Sequence, residues 1–182
     1  MATPRPGLTD RLVSRGISWP LLFRLQPSDA SFAPRASFVI DNHARIDASP
    51  ERVFDDLVFL TRGRDWLEQF LHLRWLGPDG PLEDRSSDQT FTFMSLRIRI
   101  VTAERGRRLV SSVDACSIPL ARWMCEEATF EPTSDGGTDF RWRIYSDPLP
   151  VLSPVRPLVE PIFTSMFRKS TERFAALYRG GS

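Results

Sequence analysis

The stretch IDASPERVF, residues 46–54, decides how the chain folds, because it marks the passage from a strand into a helix. Before it, apolar residues recur at every second position, which is the period of a half-buried strand. Within it, Ser49 can cap a helix, Pro50 suits the first helical turn and Glu51 favours the positive end of the helix dipole. After it, apolar residues recur at helical spacing. A strand therefore leads directly into an amphipathic helix.

The rest of the chain continues with one more short helix, a run of strands and a long terminal helix. Gly63 breaks the first helix, and a second short helix is predicted to hold Trp66, Leu67 and Phe70. Tight-turn sequences rich in glycine then separate alternating segments, which is typical of an antiparallel meander. These strands are predicted at residues 71–76, 88–94, 96–103, 108–116, 122–131 and 138–146. An apolar stripe predicts the last helix at residues 158–178, the only element long enough to cover the apolar face of the sheet.

Composition argues against several classes of protein. The chain has 182 residues with a formal net charge of +1, so no global field attracts nucleic acid, and we expect no nucleic-acid partner. The arginine bias, with Lys169 as the only lysine, is typical of a GC-rich bacterial genome. Two histidines and two cysteines without a CxxC pair do not form a zinc pattern, and we expect neither a metal nor a cofactor.

The two cysteines and the N-terminal sequence predict a cytoplasmic protein. Cys116 and Cys125 are interpreted as small buried hydrophobic residues in a reducing compartment. The apolar run at residues 17–25 is short and contains Pro20 and Arg24, so it suits neither a signal peptide nor a membrane span.

Residues 1–35 are predicted to be an N-terminal arm, and residues 36–182 a single folded domain. The arm is rich in proline and arginine, so regular structure is interrupted repeatedly. One interpretation is an arm that packs on the domain. The other is a basic, apolar foot, carrying Trp19 and Phe23, that contacts a membrane or a partner protein.

The element order and several motifs resemble the START/SRPBCC superfamily, closest to its bacterial polyketide cyclase/dehydrase and lipid-transport group. The resemblance covers residues 37–178. It rests on IDASPERVF, on Trp66, on Gly136-Gly137-Thr138 opening a strand, and on the aromatic-rich final helix. It implies an α+β helix-grip fold, in which a curved antiparallel sheet wraps around the long C-terminal helix and two short helices follow the first strand. It also implies an apolar cavity between the sheet and that helix.

Strand alternation and helix spacing then predict which side chains face this cavity. Trp66 is added by the resemblance, which places it near the cavity mouth. The predicted ligand-binding residues are Asn42, Trp66, Phe91, Phe93, Ile98, Glu126, Trp142, Phe163 and Met166.

Two polar residues, Glu126 and His43, are candidates for acid–base catalysis. Glu126 lies on an otherwise apolar face, where a carboxyl group has a raised pKa, unless it pairs with Arg122 or Arg97. His43 lies on the opposite parity of the first strand and faces solvent, unless a bulge slips the register and turns it inward.

Three functions remain open from the sequence. The first is binding of a hydrophobic small molecule, such as a lipid or a polyketide-like compound, in the internal cavity. The second is a polyketide cyclase or dehydratase that uses a cavity carboxylate or histidine. The third is a protein- or membrane-docking module that uses the N-terminal arm.

Overall fold

One antiparallel sheet organises residues 22–179, the part of the chain that the computed structural model describes. Its eight strands there are β1 (Phe23–Arg24), β2 (Phe38–Ile46), β3 (Phe70–Leu76), β4 (Ser86–Phe91), β5 (Ser95–Glu104), β6 (Arg108–Cys116), β7 (Ala121–Pro132) and β8 (Thr138–Pro148). The order across the sheet is β2-β8-β7-β6-β5-β4-β3, and β1 pairs with β6. The helices are α1 (Pro50–Val58), α2 (Gly63–Trp66) and α3 (Arg156–Ala176), with 3₁₀ turns at Ala30–Arg35 and Pro150–Leu152. This is the predicted helix-grip arrangement, which is confirmed.

Most predicted element bounds differ from the structure by only one or two residues, and two elements differ by more. The strand predicted at residues 88–94 ends at Phe91, because Thr92 leaves the strand to donate its backbone N–H to the Gln69 carbonyl at 2.9 Å. The second helix ends at Trp66, since Leu67 is extended and Gln69 adopts a positive φ of 63°. Phe70 therefore begins β3 instead of ending a helix.

The junction at residues 46–54 adopts the predicted conformation, with one difference in how α1 begins. Ser49 occupies the N-cap position and Pro50 begins the helix, but the Ser49 side chain makes no capping hydrogen bond. The start of β8 packs directly on this junction. The Thr138 hydroxyl donates to the Ala48 carbonyl at 2.7 Å, and a Cβ added to Gly137 would lie 2.8 Å from the Ile46 carbonyl oxygen. Only glycine allows this close approach of two backbone segments.

The described part of the N-terminal arm packs on the sheet. β6 and β7 pair only as far as Ser112 and Cys125, and β1 pairs with the end of β6 beyond that point. Just after β1, Gln26 donates its N–H to the Arg122 carbonyl of β7 at 2.8 Å. Phe32, in the 3₁₀ turn that follows, packs edge-on against Trp123 at 5.2 Å between ring centroids. Residues 22–35 thus join the two strands where they separate, whereas Trp19 lies outside the described residues.

The two halves of α3 are held differently. Its buried side chains all lie in the C-terminal half, at Ser170, Thr171, Phe174 and Ala175. Phe174 packs against Trp66 at 4.5 Å and Phe140 at 5.6 Å between ring centroids. From Arg156 to Lys169 no side chain of the helix is buried. The N-terminal half therefore contacts the core through partly buried side chains, such as Phe163 and Phe167, and through no fully buried one.

Both cysteines are buried and free, which agrees with their interpretation as small hydrophobic residues. None of the helices within residues 22–179 has the length and apolar character needed to cross a membrane.

Candidate functional site

Two apolar compartments lie between the sheet and the N-terminal half of α3. The inner compartment is enclosed by α1, α2, α3 and strands β3–β8. It is lined by Leu57, Val58, Leu60, Trp66, Leu67, Trp75, Ser87, Gln89, Phe91, Met94, Leu96, Ile98, Ile100, Leu109, Ser111, Glu126, Ala128, Trp142, Met166 and Phe167. The outer compartment lies under the first turns of α3. It is lined by Phe38, Ile40, Met94, Leu96, Leu120, Ala121, Met124, Glu126, Ile144, Ser146, Pro148, Leu152, Val155, Arg156, Val159, Glu160, Phe163 and Phe167.

The two compartments are adjacent. Met94, Leu96, Glu126 and Phe167 line both, so these side chains lie where the two compartments meet. The inner cavity volume is about 60 Å³ and the outer is about 150 Å³. Drug-sized ligands usually occupy roughly 300–1,000 Å³. A ligand of that size would therefore need the shared side chains to rotate so that the two spaces merge.

Glu126 is the ionisable residue at the meeting point of the compartments. It lies in β7 between Ser111 of β6 and Ile144 of β8, and its accessible surface opens into the two compartments. Burial raises the pKa of its carboxyl group to about 7, and the nearby Trp142 indole N–H partly opposes that shift. Within the described residues, Glu126 forms no ion pair with Arg122, Arg97 or any other cationic side chain.

Three further polar residues share the inner compartment with Glu126. Ser111 is its cross-strand partner, and Ser87 and Gln89 come from β4. We did not identify these three as candidates from the sequence. Strand alternation could have identified two of them, because Ser87 and Gln89 lie on the same face of β4 as Phe91, a predicted cavity residue.

Seven of the nine predicted ligand-binding residues line a compartment. Trp66, Phe91, Ile98, Trp142 and Met166 line the inner one, Phe163 lines the outer one, and Glu126 lines both. Trp66 is deeper than the mouth position implied by the resemblance. It is fully buried, and its indole N–H donates to the Thr61 carbonyl at 3.1 Å.

The other predicted site residues lie outside both compartments. Asn42 is buried, and its side-chain Nδ2 has no hydrogen-bond partner among the described residues. Phe93 lies in the turn after β4 and is 46% exposed, beside Ile162 in an open surface groove. His43 lies on the outer face of β2, because the register with β8 is continuous across it, and its imidazole pairs with Asp139. Its side chain is 62% exposed.

Two apolar side chains on the N-terminal half of α3 are exposed to solvent. Leu158 is 71% exposed and Ile162 is 67% exposed, both on the N-terminal half of α3. Pro161 interrupts the hydrogen bonding of the same half, since proline lacks a backbone N–H. This half is therefore the least firmly held wall of the site.

The outer face of the sheet is a surface of paired charges. Arg97 and Arg99 pair with Asp88 and Asp114 at 2.9 Å each. Glu127, the neighbour of Glu126 on the opposite face, pairs with arginine side chains on two adjoining strands. No cluster of three or more metal-ligating side chains occurs in the described part of the chain.

Comparison with solved structures shows the same fold in several bacterial proteins at low sequence identity. The CV1439 protein of Chromobacterium violaceum is 19% identical with a TM-score of 0.58, over 77% of this chain and 96% of that protein. TTHA0849 of Thermus thermophilus is 15% identical with a TM-score of 0.59, over 76% and 95% of the two chains. The XoxI protein of Bacillus cereus is 13% identical with a TM-score of 0.60, over 78% and 96%.

Comparison with curated protein sequences gives no significant match. A family model, described as polyketide cyclase/dehydrase and lipid transport, matches residues 37–179. This match spans the sheet from β2 onward, both short helices and α3, and it confirms the resemblance seen in the sequence. The chain therefore belongs to the polyketide cyclase/dehydrase and lipid transport family.

Proposed function

We propose that the protein binds a hydrophobic small molecule in the space between the sheet and α3. The observation that supports this most directly is the pair of apolar compartments that meet at shared side chains. The proposed ligand occupies the outer compartment first and extends inward when Met94 and Phe167 rotate. Family membership is in accord with such a role, since the family description includes lipid transport.

The proposed entry route passes the N-terminal half of α3. This half carries no buried side chain, and its polar anchor to β2 is a hydrogen bond from Arg156 to the backbone carbonyl of Ser37 at 3.0 Å. A segment with few buried contacts opens at low free-energy cost. Displacing it would expose the outer compartment while the C-terminal half of α3 stays packed.

A tryptophan placed inside the outer compartment should block binding. Val159 lines that compartment, so Val159→Trp is expected to weaken the affinity for a neutral apolar fluorophore such as N-phenyl-1-naphthylamine by roughly tenfold or more. The affinity is measured by fluorescence titration.

The matched control is Leu158→Trp, one residue earlier and facing solvent. It adds the same ring and should leave the affinity unchanged. Equal effects of both variants, or none, would contradict binding in this compartment. Solvent extraction of the purified protein and mass spectrometry of the extract would identify any ligand that co-purifies.

An acid–base reaction on a bound polyketide-like ligand, as in a cyclase or dehydratase, is the second candidate. Glu126 favours it, because a cavity carboxyl group with a pKa of about 7 can both donate and accept a proton near neutral pH. If such a substrate is turned over, Glu126→Gln should lower kcat by roughly 10²–10⁴-fold. Unchanged turnover would remove Glu126 from the reaction.

The docking alternative has less support in the described residues. Phe23 is partly exposed, but the chain from Leu25 to Arg35 is held against β6 and β7. Residues 25–35, fixed in this way, present little free apolar surface to a membrane or a partner.

A further inference from the structure

Building on the proposed function, we infer that the bound molecule carries a hydrogen-bond-donating head, an amine or a hydroxyl, which Glu126 accepts, and that carboxylate-headed ligands are disfavoured. The inference concerns the polar end of the ligand, whereas the proposed function concerns its apolar body. It rests on the charges, the open hydrogen-bonding capacity and the aromatic walls around Glu126.

The described side chains that line the site offer an unpaired carboxyl group and no unpaired cation. Among residues 22–179, Glu126 is the only ionisable side chain that lines the inner compartment. Among the same residues, Arg156 is the only cationic one that lines the outer compartment, and Glu160 already pairs with it at 2.6 Å. An anionic head placed here would meet a carboxyl group and no available cation. Burying such a charge without a partner is strongly unfavourable.

Glu126 retains unused capacity to accept hydrogen bonds. A carboxylate has two oxygens with about four acceptor positions. Within residues 22–179 the donor that faces it is the Trp142 indole N–H, and no ion pair consumes the rest. Buried polar groups usually find partners. The remaining acceptor positions face the compartments, where a ligand's donor group would meet them.

Aromatic side chains complete the environment. Trp142 packs against Phe167 at 5.2 Å and against Trp66 at 6.3 Å between ring centroids, and all three line the inner compartment. The faces of such rings attract an ammonium group by cation–π interaction. Ser111, opposite Glu126 in the sheet, supplies a hydroxyl that can bind a second polar group.

Three ligands with the same octyl chain and different heads test the inference. Octylamine, 1-octanol and octanoate are titrated into the full-length protein at about pH 8, where the Glu126 carboxyl is ionised, with tryptophan fluorescence as the signal. The amine should bind roughly tenfold or more tightly than octanoate, with the alcohol between them.

In Glu126→Gln, an isosteric change, the difference between amine and octanoate should disappear. In the control Glu131→Gln, an exposed position of the same strand, the difference should persist. Octanoate binding as tightly as octylamine, or a head-group preference that survives Glu126→Gln, would overturn the inference while leaving the proposed function intact. If none of the three probes binds, the proposed function fails and the inference fails with it. The order measured in the unmodified protein decides the matter even if a variant folds poorly.

Discussion

Replacing Glu126 by glutamine will stabilise the folded protein at about pH 8, although it removes a charged group from the centre of the domain. The side chain keeps its size and one acceptor oxygen but no longer ionises. At about pH 8 the expected gain in the free energy of unfolding is up to roughly 3 kcal/mol, from 1.36 kcal/mol per pKa unit. Urea denaturation followed by circular dichroism, repeated across a pH series, measures it.

The direction of the Glu126 pKa shift determines how the free energy of unfolding changes with pH. In the unfolded chain the carboxyl ionises near 4.5, whereas in the folded protein burial raises its pKa to about 7. Between these values the folded state holds a proton that the unfolded state has lost, so the free energy of unfolding falls as pH rises. Below about pH 4 both states are protonated and the variant should match the parent protein. The other charged groups lining the compartments, Arg156 and Glu160, neutralise each other. A pH-independent difference would show that Glu126 ionises as in water.

Glu127→Gln is the matched control, since it makes the same chemical change one residue away on the opposite face. Glu127 accepts hydrogen bonds from Arg108 Nε at 2.9 Å and from the Tyr145 hydroxyl at 3.3 Å. Its second ion pair, with Arg143, is 3.1 Å long. Loss of this charge should lower the free energy of unfolding by roughly 1–3 kcal/mol. Adjacent glutamates are therefore expected to respond with opposite signs.

The sequence was sufficient for the architecture because its signals are local and agree with one another. Strand β2 runs to Ile46, α1 begins at Pro50 next to the predicted cap, and α3 spans Arg156–Ala176 where residues 158–178 were predicted. Glycine positions in the turns and a single long amphipathic segment leave few alternative topologies. Family motifs then confirmed what the periodicity already indicated.

Side-chain packing was the part that the sequence could not supply. Phe93 continues the alternation of Phe91, but the strand ends because the backbone of Thr92 bonds to Gln69, a contact distant in sequence. How far the interior is filled depends on the rotamers of Met94 and Phe167, which no pattern encodes. Alternation alone predicted that Glu126 faces the cavity. Only the structure shows that no described arginine pairs with it.

Phe174→Ala is the substitution expected to destabilise the fold most. Phe174 is 0% exposed and packs on Trp66, Phe140 and Tyr178 at 4.5, 5.6 and 5.7 Å between ring centroids. Truncating a fully buried phenylalanine leaves a cavity and lowers the free energy of unfolding by roughly 3–5 kcal/mol. The loss is measured by urea denaturation at a single pH.

Leu158→Ala, in the first turn of the same helix, is the control for the loss of stability expected in Phe174→Ala. Leu158 is 71% exposed, so its truncation should change the free energy of unfolding by no more than about 0.5 kcal/mol. Similar losses at both positions would show that α3 is held along its whole length, and the entry route proposed above would then require unfolding of the domain. A large difference would agree with a helix that is fastened mainly through its C-terminal half. The N-terminal half could then move aside for a ligand while Phe174 stays in place between Trp66 and Phe140.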